Sequence, residues 1–475
     1  MPIGEGCAKK NKTRRLFLFL ASKTRRKSNF SNEMKKILVI GAGRSSSNLI
    51  KYLLEHASSN QWIVRVGDMD LNFAKEKIAG SALGEAFVLD GSNKEQRRSE
   101  IQAADLVVSM LPASMHVEVA KDCIAAKKHV ITPSYVADEM WSLDEEAKKN
   151  GVLILNEMGV DPGIDHMSAM QIIHEIQAAG GKLESFESLT GGLIAPESDN
   201  NPWNYKITWN PRNVILAGYG GTARFQKDHT LKFIPYHRLF EDIQTISVDG
   251  VGDFDGYANR DSLKYKAIYG LENIPTLYRG TLRKQGFCEA WNALIQIGLT
   301  DDSFEIENPS ALTWSDLTAS FIDGGKENLE TYVQSRWNFS DVVMSKLKWL
   351  GIFDEEKLTV SKGTPAVALQ SLIERKWKLD AGDKDMIVMF HRFVYELQGQ
   401  KHLRTSSMVC IGDDPTYTAM SKTVGLPIAI AARMILDGRM KETGVLLPIQ
   451  PEIYEPVLEE LATLGVKFIE KDSLI

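Results

Sequence analysis

Between Met34 and Asn156 six short apolar runs, Ile37–Ile40, Ile63–Val66, Ala86–Leu89, Leu106–Ser109, His129–Ile131 and Val152–Leu155, alternate with segments of helical pattern. Strands joined by helix-length connections lie parallel and need helices on both faces, so this stretch predicts an α/β fold with a doubly wound parallel sheet of the Rossmann type. The first run leads into Gly41-Ala42-Gly43-Arg44-Ser45-Ser46 and then a helix from Asn48 to His56. Two glycines at such a turn let backbone approach a pyrophosphate at a helix N-terminus. Position 46 is Ser where the full fingerprint has Gly or Ala, so the loop is a weak signal alone and gains weight from its strand, turn, helix, strand setting. Asp68 ends the second strand 27 residues after Gly41. An acid there accepts hydrogen bonds from ribose hydroxyls and repels a 2′-phosphate, which favours NAD over NADP as the cofactor. Asp90 and Leu111 follow the third and fourth strands, where they line the dinucleotide or simply terminate strands.

The chain has 475 residues and a net charge of −6, but the charge is uneven. Residues 1–33 carry nine Lys and Arg against Glu5 and Glu33; of 56 basic and 62 acidic residues in all, the remainder holds 47 and 60. So acidic a body is a poor partner for nucleic acid or an anionic membrane. The apolar core of the basic head, Leu16–Ala21, is shorter than the roughly 7 residues at which a secretory segment begins. The expectation is a disordered or spurious extension, with the folded chain opening at Met34 and an organelle signal as the alternative. Cys7, Cys123, Cys288 and Cys410 have no metal or disulfide spacing, which suits a reducing, cytoplasmic setting and no metal. No apolar run approaches the roughly 18 residues of a membrane span.

After the sixth strand comes Asn156-Glu-Met-Gly-Val-Asp161-Pro-Gly-Ile-Asp-His166, a polar loop leading into an amphipathic helix that ends at Gly180-Gly181. A loop leaving the carboxyl end of such a strand can meet cofactor and substrate together. Asp161 can also cap the helix that follows. Lys182–Leu189 reads as a strand and Thr190–Pro202 as a long Gly, Pro and Asn-rich loop. Arginines at 260, 279 and 283, set among Gly, Asn and Thr, suit a carboxylate-bearing small molecule, because guanidinium grips carboxylate with two parallel hydrogen bonds. Segment 300–350 reads as a helical insertion packed through Trp314, Phe321, Leu329, Val333, Trp337, Val342 and Leu347. Asp414-Pro415 opens a helix of small apolar residues. The domain reading is a dinucleotide-binding domain over 34–160, completed by about 415–475, and an α/β substrate domain over 161–298 and 351–414, with the insertion at 299–350.

These segments resemble the glutamate-forming saccharopine dehydrogenases, or saccharopine reductases, from Met34 onward. The resemblance is carried by Lys128–Val136, Asn156–His166, Gly191–Glu197, Asn201-Pro202 with Tyr205-Lys206, Asn259–Ser262, Arg279–Arg283 with Gln285–Phe287, Trp349–Gly351 and Arg404–Ser407. It implies NAD(P)-dependent oxidation of saccharopine to glutamate and 2-aminoadipate semialdehyde, or the reverse condensation, in lysine metabolism, by a homodimer. It also implies that Ala42–Ser45, Asp90, Leu111, Ser134 and Val160-Asp161-Pro162 line the cofactor. Ser134, Tyr135, Asp161, Arg260, Thr281, Leu282 and Arg283 would hold the substrate, with Tyr135 and Asp161 best placed to meet the reacting amine or a hydrolytic water. Two departures stand out: Met69 replaces an arginine of NADP-using fungal members, which again points to NAD with NADP possible, and Thr190 replaces a cysteine. Carboxynorspermidine synthase, which joins an amine to a semialdehyde by the same chemistry, is the alternative among enzymes; a non-catalytic nucleotide sensor is the alternative outside them.

Overall fold

The computed structural model describes residues 34–215 and 221–475; the expectations for residues 1–33 lie outside the described residues. Strands β1 (Lys35–Ile40), β2 (Trp62–Asp68), β3 (Gly84–Val88), β4 (Leu106–Ser109), β5 (His129–Ile131) and β6 (Leu153–Leu155) form a parallel sheet in the order β6-β5-β4-β1-β2-β3. This is the doubly wound arrangement read from the sequence. Its central strands are buried on both faces, every residue of β4 and β6 included, which is why they appear in the sequence as uninterrupted apolar runs.

A second sheet contains β7 (Lys182–Ile194), β8 (Ala223–Lys227), β9 (Thr230–Ile234), β10 (Ile243–Val248), β11 (Gly252–Ala258), β12 (Thr276–Lys284), β13 (Asp385–Leu397) and β14 (Gln400–Ile411). Its path is β10-β11-β12-β7-β13-β14, with β8 and β9 attached at β12. The last two strands part company: β15 (Gly444–Leu446) joins the first sheet beside β6, and β16 (Phe468–Leu474) becomes an edge of the second beside β14. Residues 415–475 therefore serve both sheets instead of only completing the first. The glycine-rich stretch after Leu189 is also not all loop. β7 runs on to Ile194, and Gly191 and Gly192 keep it in the sheet because a Cβ at Gly191 would lie 2.7 Å from the Leu282 carbonyl oxygen and one at Gly192 3.1 Å from Met420.

Helices Ile164–Ala178 and Ala419–Leu436 lie in one apolar layer with residues of both sheets, Val39, Val108, Phe186 and Met389 among them. The second helix packs tightly on the helix Ser47–Asn60, where a Cβ on Gly425 would stand 2.7 Å from the Leu49 nitrogen and Ser421 Oγ accepts from the Asn48 N–H at 2.8 Å. It starts at Ala419, not Asp414: Asp414 is used in a turn to Thr416 and Tyr417, while Thr418 caps the helix and the buried Asp385 accepts its first two N–H groups at 2.5 and 2.9 Å. This helix is long and apolar enough to cross a membrane by length and composition, but 83% of it is buried inside the fold. On the far face of the second sheet, helices 314–320, 329–337, 341–350 and 365–376 close a core around Trp203, Trp291 and Trp377. Of the packing positions expected there, Val342 is exposed and its neighbour Val343 takes the core position.

Candidate active site

The carboxyl ends of β4, β5 and β6 face β7, β11 and β12 across a cavity of about 1330 Å³, lined from Ser45 and Ala113 at one end to Tyr257, Thr281 and Arg283 at the other. Strand alternation decides which residues of β12 reach it. Arg279, Thr281 and Arg283 share the lining face, while Leu282 is fully buried in the tryptophan-rich core. Leu282 is thus corrected from a substrate contact to a core residue, and Arg279, on the lining face, is engaged by carboxylates of the protein itself.

The Asn156–His166 loop brings the charges together. Glu157 adopts φ 57°, the Asp161–Pro162 peptide is cis, and Gly163 has φ 148°. A Cβ on Gly163 would fall 2.1 Å from the Gly159 carbonyl oxygen, so only glycine closes this turn. Asp161 does not cap the following helix. Its Oδ1 accepts hydrogen bonds from the Tyr135 hydroxyl and the Arg279 guanidinium, both at 2.7 Å, and the Gly163 N–H is taken instead by Asp165 at 2.6 Å. Arg279 also donates to Asp165 Oδ2 at 2.5 Å and stacks over the Tyr265 ring at 4.3 Å. Beneath them Glu157 binds the His166 ring at 2.6 Å, and His166 reaches the Tyr269 hydroxyl at 2.5 Å.

The electrostatics follow from burial. Burial and the nearby Asp165 raise the pKa of Asp161 above the usual carboxylate range, while Arg279 and the Tyr135 hydrogen bond pull against them. Burial holds Tyr135 protonated well above its ordinary range. Arg279 is saturated by two carboxylates, but Arg283 is not. It is 4% exposed and ringed by Tyr205, Tyr257 and Phe287; among the described residues it donates only to the Leu282 carbonyl, forms no ion pair, and its Nε has no partner. Thr190, on the same wall, also has a buried hydroxyl without a partner among the described residues. Arg260 lies over the Tyr135 ring at 5.2 Å, exposed and free of ion pairs among the described residues.

At the other end, Gly41 takes φ 105°, and a Cβ there would meet the Met110 carbonyl oxygen at 2.9 Å. Nothing lies within 4 Å of a Cβ built on Gly43, so the turn opens onto free space, and the N–H groups of the first helical turn have no intrahelical acceptor. These features suit a dinucleotide pyrophosphate. Asp68 holds the loop through the Ala42 N–H at 2.7 Å, beside an exposed Met69. Asp90 accepts from Ser92 in a tight turn, and Leu111 packs near Gly91; neither lines the cavity itself. Ser134, Val160, Asp161 and Pro162 all line it.

A Rossmann-type sheet whose strand ends open on an arginine-bearing cavity is the architecture of a dinucleotide-binding protein. Residues 37–155 match the model of the saccharopine dehydrogenase NADP binding domain and 159–466 that of the saccharopine dehydrogenase C-terminal domain. The chain belongs to the saccharopine dehydrogenase family. It is 34% identical to the saccharopine dehydrogenase (NADP(+), L-glutamate-forming) of Pyricularia oryzae, over 92% of this chain and 99% of that protein. It is 32% identical to the mitochondrial alpha-aminoadipic semialdehyde synthase of Bos taurus, covering 93% of this chain and 48% of that longer protein. The apo structure of the Saccharomyces cerevisiae saccharopine dehydrogenase (L-Glu forming) superposes with a TM-score of 0.84 at 32% identity, over 92% of this chain and all of that one. The expectation of NAD as the main cofactor gains no support here, since the matching domain and the fungal relatives are named for NADP.

Proposed function

We propose that the protein is a glutamate-forming saccharopine dehydrogenase of lysine metabolism. The observation that carries this reading is Arg283, a buried guanidinium at the end of the cavity without a counter-ion among the described residues. An unpaired buried cation is costly, and a substrate carboxylate offsets that cost. Arg260 supplies a second cation free to meet another carboxylate, and saccharopine has three.

The dinucleotide supplies hydride transfer when bound. Oxidation first requires the secondary ammonium of saccharopine to lose a proton so that its nitrogen lone pair can form the imine. Asp161 is the acceptor for that proton: both of its side-chain hydrogen bonds fall on Oδ1, leaving Oδ2 unengaged among the described residues, and its raised pKa strengthens it as a base. Tyr135, held protonated, donates to Asp161 and orients it. Once the imine has formed and Asp161 has passed its first proton to solvent, the carboxylate takes a proton from the attacking water and returns it to the departing nitrogen, so cleavage of the carbon–nitrogen bond releases glutamate and the semialdehyde. The reverse sequence condenses and reduces.

Within this reading, Asp68 and the uncharged Met69 disfavour a 2′-phosphate, which supports NAD, whereas the relatives' names argue for NADP. Comparing kcat/KM for the two dinucleotides decides; a strong NADP preference defeats the reading of Asp68, and Met69→Arg is expected to shift preference towards NADP. The three described cysteines are free and buried, in keeping with a reducing, cytoplasmic setting, and Ile469 and Leu474, exposed on the edge strand β16, suit burial in a homodimer, which light scattering would detect. For the activity itself, the purified protein should reduce dinucleotide with saccharopine and not with carboxynorspermidine. Turnover with carboxynorspermidine alone would overturn the substrate, and turnover with neither would favour a nucleotide sensor.

A further inference from the structure

We propose that His116 is a positioning residue that fixes the Ser134 hydroxyl as a hydrogen-bond donor into the cavity, aimed at an oxygen acceptor of the bound substrate or dinucleotide. The proposal rests on the enzymatic reading above. His116 opens the helix His116–Ala126 after β4 and is 4% exposed. Its Nδ1 lies 2.9 Å from Ser109 Oγ at the end of β4, and its Nε2 lies 2.8 Å from Ser134 Oγ just beyond β5. One buried ring therefore ties two adjacent strand ends together, and the outer hydroxyl lines the cavity.

The direction of these hydrogen bonds follows from counting donors. Among the described residues no carboxylate bonds the ring, and burial pushes its pKa down to about 4, so the imidazole is neutral, with one donor nitrogen and one acceptor. Ser109 is fully buried and has His116 as its side-chain partner. With the proton on Nδ1, Ser109 would have to accept, and its own hydrogen would be buried without an acceptor. With the proton on Nε2, Ser109 donates to Nδ1 and Nε2–H donates to Ser134 Oγ, which leaves the Ser134 hydrogen free to leave the chain. Only the second arrangement leaves no buried donor unpaired, since the unpaired hydrogen is then that of Ser134, on the cavity wall. The Ser134 backbone is held on both sides, its N–H by Thr132 Oγ1 at 3.4 Å and its carbonyl by the Glu157 N–H at 3.3 Å, so the hydroxyl points from a fixed base. Its acceptor is a substrate carboxylate or the carboxamide oxygen of a nicotinamide, and kinetics separates the two.

The test combines nitrogen NMR of the histidine rings with a double-mutant cycle in the full-length protein. NMR should find His116 neutral with its proton on Nε2. Ser134→Ala should raise KM roughly tenfold, the effect of one hydrogen bond to a charged or strongly polar oxygen, for saccharopine if the acceptor is a substrate carboxylate or for dinucleotide if it is the carboxamide. His116→Gln should raise the same KM and add nothing in the Ser134→Ala background. Should His116→Gln fail to fold, Ser109→Ala serves instead, with a mixture of ring tautomers and the same KM effect expected. A proton on Nδ1, additive effects of the two substitutions, or an unchanged KM in Ser134→Ala would overturn the proposal. Absence of turnover by the unaltered protein would instead count against the enzymatic reading, which the NMR result does not depend on.

Discussion

Two arginines four residues apart on one face of β12 do different work. Arg279 is matched by Asp161 and Asp165, so its charge acts on the protein; Arg283 has no matching anion, so its charge waits for a ligand. Asp161→Asn keeps the shape and an acceptor for Tyr135 but removes the base, and kcat should fall by about 10²–10⁴ with little change in KM. Because the pKa of Asp161 is raised and the base form exists only above it, kcat/KM for oxidation should climb with pH through a value above the usual carboxylate range. Arg279 is among the groups that lower that pKa, so Arg279→Met should move the rising limb to higher pH; an unmoved limb would separate Asp161 from the titration. Arg283→Met should leave the limb in place and raise KM for saccharopine by about 2–4 kcal/mol in binding, roughly 30- to 800-fold.

The site depends on two elements that the sequence shows with unequal clarity. The loop Asn156–His166 stands out in the sequence, because a run of acids with Asp-Pro-Gly follows the last strand of an alternating series. Its internal bonding does not show, because Asp161 bonds outward to Tyr135 and Arg279 and the partner on β12 lies more than a hundred residues away. The contribution of β12 was open to a stricter reading: period-two alternation puts Arg279, Thr281 and Arg283 together and turns Leu282 to the core. His116, by contrast, carries no local signal, since its partners are set by which strand ends the sheet makes adjacent. Gly163 is the steric pivot of the loop. Gly163→Ala should displace the Asp161 turn, costing more than the 1–3 kcal/mol typical of a strained backbone position and abolishing turnover, both readable by thermal unfolding and assay. A variant of unchanged stability and activity would show that the turn tolerates a Cβ.

Over the whole molecule, the parallel sheet and its glycine turn were legible because burial on both faces writes them into the sequence as apolar runs at regular spacing. The second sheet was less so. Its strands pair across long separations, and the chain's end is shared, β15 going to one sheet and β16 to the other, a division that no local pattern encodes. This shared construction sets the cavity between the strand ends of the two sheets, with the dinucleotide turn at one end and the unpaired arginine at the other. This one cavity is expected to hold a tricarboxylate amine beside a nicotinamide. A crystal structure of the protein with dinucleotide and saccharopine tests it most directly. A saccharopine carboxylate is expected on the Arg283 guanidinium at about 2.7–2.9 Å, with the secondary amine against Asp161; saccharopine bound elsewhere, with Arg283 still lacking an anion, would overturn that placement.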